Sequence, residues 1–142
     1  MKSLLLLCIL FGATLSAYSQ STPTSKTAVA TDVTAESLVQ KQLEAYNARD
    51  IDAFLATYAD DVELYDLPDK LILKGKDAMR KDYGAFFNAA KSLRCEIVNR
   101  IVLNNTVIDH EKVTVNPQKP ASQAVAIYKV ENGLIKKVYF TQ

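Results

Sequence analysis

The order of apolar and polar positions predicts three helices in the first part of the folded region. Apolar residues recur at three- and four-residue spacing over residues 34–48 and again over residues 77–91, which is the period of a helix with one buried side. Between these segments, Asp50 is placed to cap a short second helix whose apolar side extends from Ile51 to Tyr58. The Asp60-Asp61 pair is expected to end that helix.

The second half of the chain changes to the two-residue alternation of β-strands. Four strands are predicted in two hairpins, 94–103 with 106–115 and 121–130 with 134–140. Asn104-Asn105 and Asn132-Gly133 lie at the two turns, where residues that tolerate positive φ are required. Helices followed by an antiparallel meander predict an α+β fold.

The first 33 residues are predicted to precede the folded domain. Lys2, a short apolar run and the Ala17-Tyr18-Ser19 sequence have the layout of a secretory signal peptide, so residues 1–19 are expected to be cleaved. Residues 20–33 are rich in Ser and Thr and are expected to form a flexible leader. The folded domain is then residues 34–142. The mature protein is predicted to be secreted or periplasmic, with no membrane attachment after cleavage.

Charge and cysteine content argue against several partners and cofactors. The chain has 17 basic and 16 acidic residues, and cleavage deletes only Lys2 among them, so nucleic acid is not a predicted partner. Cys95 would be the one remaining thiol and, inside an apolar segment, is expected to be buried and unreactive. His110 is the only histidine, and one His with scattered carboxylates does not make a zinc site. No metal or other cofactor is therefore predicted.

Three short sequences, AYNARD at 45–50, ADDV at 59–62 and GKDAM at 75–79, together with the order of elements, resemble the nuclear transport factor 2-like superfamily. Within it, the chain is most similar to the SnoaL-like and ketosteroid-isomerase-like branch. The resemblance implies a cone-shaped roll in which a curved antiparallel β-sheet wraps around three N-terminal helices and leaves a pocket at the open end. Members include isomerases, polyketide cyclases, dehydratases and non-catalytic binding domains, and homodimers through the outer sheet face are common, so a homodimer is expected.

The resemblance carries the catalytic residues of the ketosteroid isomerases over only in part. Asp66 corresponds to their proton-abstracting Asp, and Tyr58 and Tyr83 correspond to supporting aromatic positions. The position of the oxyanion-donating Tyr, however, holds Gln42, and that of the second donor, a protonated Asp, falls at residues 126–127, where no acid is present. Ketosteroid isomerase activity is therefore not expected.

Asp66 and His110 are the predicted catalytic residues. Asp66 lies on an alternating strand between aromatic and apolar neighbours, and a half-apolar pocket would raise the pKa of its carboxyl group toward that of a general base. The alternative is a water-facing Asp at the end of a strand. His110 is the one side chain whose ordinary pKa lies near neutrality, so it is suited to act with Asp66 as an acid/base pair.

The orientation of His110 depends on the register of its strand. Asp109, His110 and Glu111 lie in mid-strand, so His110 points to one face and its two neighbours point to the other. Registered on the family scaffold, His110 is expected on the inner face, across the pocket from Asp66. A one-residue bulge would instead bring Asp109 and Glu111 inward. The remaining alternative is that His110 pairs with a neighbour and takes no part in chemistry.

A small, mainly apolar organic molecule is the predicted ligand. Tyrosines are numerous for a small domain, and a pocket rimmed by hydroxyl groups would suit a flat, partly oxygenated molecule. Ligand contacts are predicted at Gln42, Tyr46, Tyr58, Tyr83, Glu111 and Tyr128.

Two functions follow from these observations. The first is ligand binding with acid/base chemistry of the isomerase or cyclase type, and the second is a non-catalytic binding or assembly module that uses the outer sheet face. An open cavity of roughly 300 Å³ or more that reaches Asp66 would favour the first. A cone filled by its own side chains would favour the second.

Overall fold

The computed structural model describes residues 34–141, which form three helices and six strands. In chain order these are α1 (Ala35–Ala48), α2 (Ile51–Ala56), β1 (Tyr58–Asp66), β2 (Lys70–Lys74), α3 (Lys76–Ala89), β3 (Arg94–Leu103), β4 (Thr106–Thr114), β5 (Ser122–Glu131) and β6 (Leu134–Thr141). The predicted signal peptide and leader lie outside the described residues, as does Gln142. Those assignments stay predictions.

The corner between α1 and α2 is formed by capping residues. Thr34 caps α1 by accepting a hydrogen bond from the Ser37 amide at 3.1 Å. Arg49, with φ of 57°, ends α1 in the left-handed conformation common after helix C-termini. Asp50 then caps α2 through hydrogen bonds from the Asp52 and Ala53 amides at 3.1 and 3.0 Å, as the sequence predicts.

The segment after α2 differs from the prediction. The helix ends at Ala56, and Tyr58 already belongs to β1, so Asp60 and Asp61 lie inside a strand and do not act as a stop. The register of β1 against β6 shifts between Tyr58 and Glu63, which accommodates the two acids in an irregular stretch. The sequence analysis also missed β2 as a separate strand, which pairs antiparallel with β1.

The six strands form one curved, mixed sheet in the order β2-β1-β6-β5-β4-β3. The antiparallel meander from β3 to β6 is confirmed, and both predicted turns are formed at residues with positive φ. The β1–β6 pairing is parallel, and both strands begin at the same end of the sheet, where Tyr58 is paired with Ile135. A hydrogen bond of 2.9 Å from the Ile135 amide to the Thr57 carbonyl fixes that junction. The α+β cone fold is confirmed, with one parallel pairing in an otherwise antiparallel sheet.

One apolar core lies between the helices and one face of the sheet, here called the inner face. Its most completely buried large apolar side chains come from all three helices and from three strands: Val39, Phe54, Val62, Leu64, Met79, Val107, Ile135 and Val138. The predicted inner side of α3 is also present, since Met79 and Phe87 are buried and Tyr83 packs against the core.

The opposite, outer face of the sheet carries a row of apolar side chains in register across five strands. The strand pairings join them in the order Ile101, Ile108, Ile127, Tyr139 and Tyr65. We call this set the outer apolar row. The Tyr65 and Tyr139 rings are stacked with centroids 5.2 Å apart, and Ile101 is 54% exposed. No helix among residues 34–141 is long and apolar enough to cross a bilayer.

Candidate functional site

A cavity of about 70 Å³ lies between α1, α3 and the inner face of the sheet. Its walls combine aromatic rings with a few polar groups, contributed by Gln42, Leu43, Tyr46, Tyr58, Tyr83, Cys95, Glu111, Tyr128 and Phe140. The six residues predicted as ligand contacts are all among them. Four residues apart on α1, Gln42 and Tyr46 lie on the same side of the helix, which brings both to the cavity.

Glu111 is the one carboxyl-bearing residue among the described residues that line this cavity. It is 9% exposed, and its Oε1 atom accepts a hydrogen bond of 2.9 Å from the Tyr128 hydroxyl. Its other oxygen, Oε2, takes part in no hydrogen bond within residues 34–141 and is not fully enclosed, because no fully buried side-chain oxygen or nitrogen in this part of the chain lacks a hydrogen-bond partner. Burial raises the pKa of the Glu111 carboxyl group from 4.5 to about 7, an effect that the nearby Asp109 reinforces and that Tyr128 and Arg100 oppose. Glu111 therefore exchanges its proton near neutral pH.

The inward orientation of Glu111 follows from the alternation of β4. Val107, Asp109 and Glu111 are buried in turn, so His110 points to the outer face. There its Nε2 atom lies 2.7 Å from Oε1 of the exposed Gln123. The prediction that His110 lies on the inner face is therefore wrong, and the alternative orientation considered for Asp109 and Glu111 is the one observed.

A buried ion pair fixes this orientation. Arg100 Nε and Nη2 donate to the two carboxylate oxygens of Asp109, both at 2.7 Å, and Arg100 Nη1 donates to Gln40 Oε1 at 3.1 Å. Asp109 is 1% exposed. Turning β4 over would leave both charges without partners, which is costly inside a protein. The pair thus holds β3, β4 and α1 together and keeps Glu111 on the inner face.

Asp66 does not line the cavity. It is the last residue of β1, its side chain is 49% exposed, and its Oδ2 lies 3.8 Å from Lys70 Nζ. Because β6 and β5 separate β1 from β4 and His110 faces outward, the predicted Asp66–His110 pair is not formed. Asp66 matches the water-facing alternative considered for it.

The phenol groups around Glu111 are held in their neutral form. Burial raises the pKa of the tyrosines that border the cavity above the usual range: Tyr46, Tyr58, Tyr83 and Tyr128. Three of them, Tyr46, Tyr58 and Tyr83, pack around Phe54, whose ring centroid is 6.0, 5.0 and 4.9 Å from theirs. The cavity therefore offers hydroxyl donors on an otherwise aromatic surface.

Cys95 borders the cavity beneath α1 and is buried, as predicted. The Asn47 side chain brackets its backbone, since Asn47 Nδ2 donates to the Cys95 carbonyl at 2.9 Å and the Cys95 amide donates to Asn47 Oδ1 at 2.7 Å. Burial raises the pKa of the Cys95 thiol to about 12, which keeps it protonated and a poor nucleophile at neutral pH. Within residues 34–141, no three His, Cys, Asp or Glu side chains are grouped to hold a metal ion.

The sequence contained a signal for Glu111 that its analysis did not use. A two-residue turn at Asn104-Asn105 places Arg100 directly opposite Asp109 on the neighbouring strand. Opposite charges at such positions favour pairing. Had the pair been assigned to the inner face, Glu111 would have been expected on that face too, two residues further along.

Comparison with known proteins agrees with the fold. The sequence profile of the SnoaL-like domain matches residues 39–138, whereas a comparison with curated protein sequences gives no match. Among solved structures, the chain is similar to an uncharacterised cystatin-fold protein from Novosphingobium aromaticivorans, with a TM-score of 0.71 and 23% identity over 77% of this chain and 98% of the other.

Two further structures of the same fold have names that suggest an activity. One is a candidate polyketide cyclase from Sinorhizobium meliloti, with a TM-score of 0.62 and 20% identity over 73% of this chain and 93% of the other. The other is a candidate ketosteroid isomerase from Kribbella flavida, with a TM-score of 0.60 and 18% identity over 75% of each chain. At these identities the structures show a shared fold. Because the profile match extends from α1 into β6, this chain belongs to the SnoaL-like domain family.

Proposed function

We propose that this SnoaL-like domain binds a small, mainly apolar organic molecule in its cone and exchanges a proton with it through Glu111. The observation that carries the proposal is the protonatable carboxyl group of Glu111, which is buried, shares the cavity with four tyrosines and is hydrogen bonded by Tyr128. Burying a carboxyl group that has a single hydrogen-bond partner costs folding free energy, so such a group is unusual in a core that serves stability alone. Groups whose pKa is shifted by burial in a concave site are typical of functional sites.

The arrangement suits acid/base chemistry next to a carbonyl group. At neutral pH, Glu111 with a pKa of about 7 is present in both protonation states, so it can donate a proton to an oxygen or accept one from a carbon or a hydroxyl group. The Tyr128 hydroxyl holds Oε1 in place and leaves Oε2 toward the cavity. Proton transfer of this kind underlies the isomerase and cyclase reactions in the names of the structural relatives.

Glu111 takes the role for which the sequence analysis selected Asp66 and His110. In this proposal, neither of these two residues contacts the ligand, because Asp66 lies at an exposed strand end and His110 lies on the outer face. They therefore provide matched controls: an exposed carboxylate and a titratable side chain next to Glu111 in sequence.

The proposal is tested by mass spectrometry of small molecules that co-purify with the full chain. Glu111→Ala and Tyr128→Phe should reduce or abolish recovery of a bound molecule, whereas Asp66→Asn and His110→Gln should recover it at the wild-type level. Circular dichroism confirms that each variant is folded. Recovery of the same molecule from Glu111→Ala and wild type, or its loss from Asp66→Asn alone, would contradict the assignment of Glu111.

A second candidate function, an assembly module, is favoured by the outer apolar row. We propose that this face pairs with a second copy of the chain to form a homodimer. A row of apolar side chains across five strands has no cover within residues 34–141. A self-complementary patch is what a twofold interface requires. The small volume of the cavity in this conformation also favours the assembly function.

We also propose that the protein acts after export, in the periplasm or outside the cell. The support is the signal-peptide layout of residues 1–19. N-terminal sequencing of the protein recovered outside the cytoplasm should give a first residue close to Gln20. An unprocessed Met1 there would contradict the proposal.

A further inference from the structure

The cavity around Glu111 is too small for the proposed ligand in the conformation observed. A volume of about 70 Å³ holds roughly two water molecules, whereas pockets for organic ligands start at roughly 300 Å³. Some part of its wall must therefore move if an organic molecule is to reach Oε2 of Glu111.

One part of that wall is shared with a second hollow. A surface depression of about 310 Å³ is bordered by Tyr46, Asp82, Tyr83 and Phe86. Tyr46 and Tyr83 border the inner cavity as well. These two rings thus form the partition between Glu111 and a depression that already has the size of a small ligand site.

The rings of the partition are held by packing against other apolar side chains. The Tyr83 ring lies 4.9 Å from Phe54 and 6.0 Å from Phe87, and Tyr46 lies 6.4 Å from Phe86, all between centroids. Among the hydrogen bonds of residues 34–141, none involves the Tyr83 hydroxyl. Rings held in this way and partly exposed can change rotamer without breaking a polar contact.

The other thin wall of the cavity is held more firmly. Leu43 and Cys95 border both the inner cavity and a groove between α1 and β3. On that side, the two Asn47–Cys95 hydrogen bonds and the Arg100–Gln40 hydrogen bond join α1 to β3. Opening there would break three hydrogen bonds, so the route past Tyr83 is the easier one.

We infer, on the basis of the proposed ligand-binding function, that Tyr83 is a gate whose displacement joins the cavity to the depression. The joined space then selects molecules of one or two rings that bear a carbonyl oxygen. The rings would lie in the depression against Tyr46 and Phe86, and the oxygen would meet Glu111 and Tyr128. Tyr83 and Tyr46 are then specificity-determining residues, because their positions set the length of the ligand.

Cys95 provides a test of the gate that needs no knowledge of the natural ligand. Cys95 is 4% exposed and borders both the inner cavity and the groove between α1 and β3, so its reaction with methyl methanethiosulfonate reports access from one of these two sides, which the variants below distinguish. The full chain is used, and peptide mass spectrometry measures modification of Cys95 separately from that of Cys8. Tyr83→Ala should raise the modification rate by about tenfold or more, as expected when a local barrier to access is removed, whereas Tyr83→Phe should stay within about twofold of wild type.

Two controls separate the gate from other routes. Asn47→Ala loosens α1 from β3, and an acceleration equal to that of Tyr83→Ala would show entry on that side and overturn the inference. Tyr139→Ala removes a ring from the outer face and should leave the rate unchanged. A steep increase of the wild-type rate with urea would indicate access by global unfolding, which would also overturn the gate.

The ligand class is tested in the same assay with acetophenone and ethylbenzene, which differ mainly in the carbonyl oxygen. Acetophenone should protect Cys95 at concentrations at which ethylbenzene does not, and Glu111→Ala should remove the difference. If Tyr83→Ala accelerates modification but neither compound protects, the gate stands and the proposed ligand class is wrong. If neither effect is seen, the gate is wrong while co-purification of a ligand still tests the proposed function independently.

Discussion

At the scale of single residues, orientation decides the function of a strand residue. His110 and Glu111 are adjacent, yet one lies beside Gln123 on the outer face and the other is buried beside Tyr128. Residue type favoured His110, because histidine titrates near neutrality in water. In the folded protein, burial instead raises the pKa of the Glu111 carboxyl group to about 7. Sequence alone does not reveal this shift, since it depends on which neighbours exclude water.

The first prediction concerns the pH dependence of stability. The raised pKa of Glu111 means that, between about pH 4.5 and 7, the folded state keeps a proton that the unfolded state has lost. The associated stabilisation is fully present below this range and disappears as the pH rises through it. Relative to Glu111→Gln, which does not titrate, the wild type should lose on the order of 3 kcal/mol of unfolding free energy across the range.

Urea unfolding at pH 4.5 to 8 measures this difference. Glu131→Gln, at an exposed position at the end of β5, should keep the wild-type pH dependence. Parallel curves for wild type and Glu111→Gln would mean that the Glu111 carboxyl group is solvated.

The second prediction concerns the Arg100–Asp109 pair. Asp109→Asn leaves the buried guanidinium without its charge partner, so the free energy of unfolding should fall by about 3 kcal/mol. The exposed pair Arg80–Asp52, with atoms 2.8 Å apart, provides the control, since Arg80→Ala should have no measurable effect. Equal effects of the two variants in urea unfolding would show that burial does not strengthen the Asp109 contact.

At the scale of elements, local patterns predicted most of the structure. The β3–β4 and β5–β6 turns required Asn104, Asn132 and Gly133, which have φ of 51°, 52° and 74°. The prediction failed where one residue suited two elements. Tyr58 continues the apolar side of α2 in sequence, but it is the first residue of β1. Its ring is buried in the core in either assignment. Strand β2 was missed because four of its five residues are exposed and only Leu73 packs against the core.

The third prediction concerns Gly84 in α3. A Cβ atom built at this position meets no other atom within 4 Å, so the helix does not use the absence of a side chain. Gly84→Ala should raise the free energy of unfolding by about 0.5–1 kcal/mol. Thermal or urea unfolding measures the change.

Gly75 gives the matched control of opposite sign. It precedes α3 with φ of 83°, and a Cβ there would lie 3.5 Å from the Asp60 carbonyl oxygen. Gly75→Ala should therefore destabilise the domain by about 1 kcal/mol or more. A loss of stability in Gly84→Ala would show that α3 packs more closely than described.

At the scale of the whole molecule, the cone places an internal site and an external surface on opposite faces of one sheet. The resemblance of the sequence to a family supplied this architecture and the cavity positions of Gln42, Tyr58 and Tyr83. Glu111, in contrast, faces the cavity through the register of β4 that the sequence analysis considered as the alternative. The predicted catalytic pair is not formed, because Asp66 lies at an exposed strand end and a one-residue difference in the register of β4 turns His110 to the outer face. The size of the cavity also lay beyond prediction, since it depends on how the Tyr46 and Tyr83 rings pack.

The fourth prediction concerns the proposed homodimer. Ile127 is the third of five positions in the outer apolar row, so Ile127→Lys places a charge at the centre of the interface. Sedimentation equilibrium should show a wild-type dimer, with dimerisation weakened by about tenfold or more in the variant, as for loss of a central apolar contact. A wild-type chain that stays monomeric at high micromolar concentration would contradict the dimer.

The most direct test of the central claim is an NMR titration of the Glu111 side-chain carboxyl carbon in ¹³C-labelled protein, assigned by comparison with Glu111→Gln. The proposed site predicts a midpoint at about pH 7, because Glu111 is enclosed with Tyr128 in a space from which most water is excluded. A midpoint near 4.5, the ordinary value, would show that this carboxyl group faces water and would contradict the proposed site.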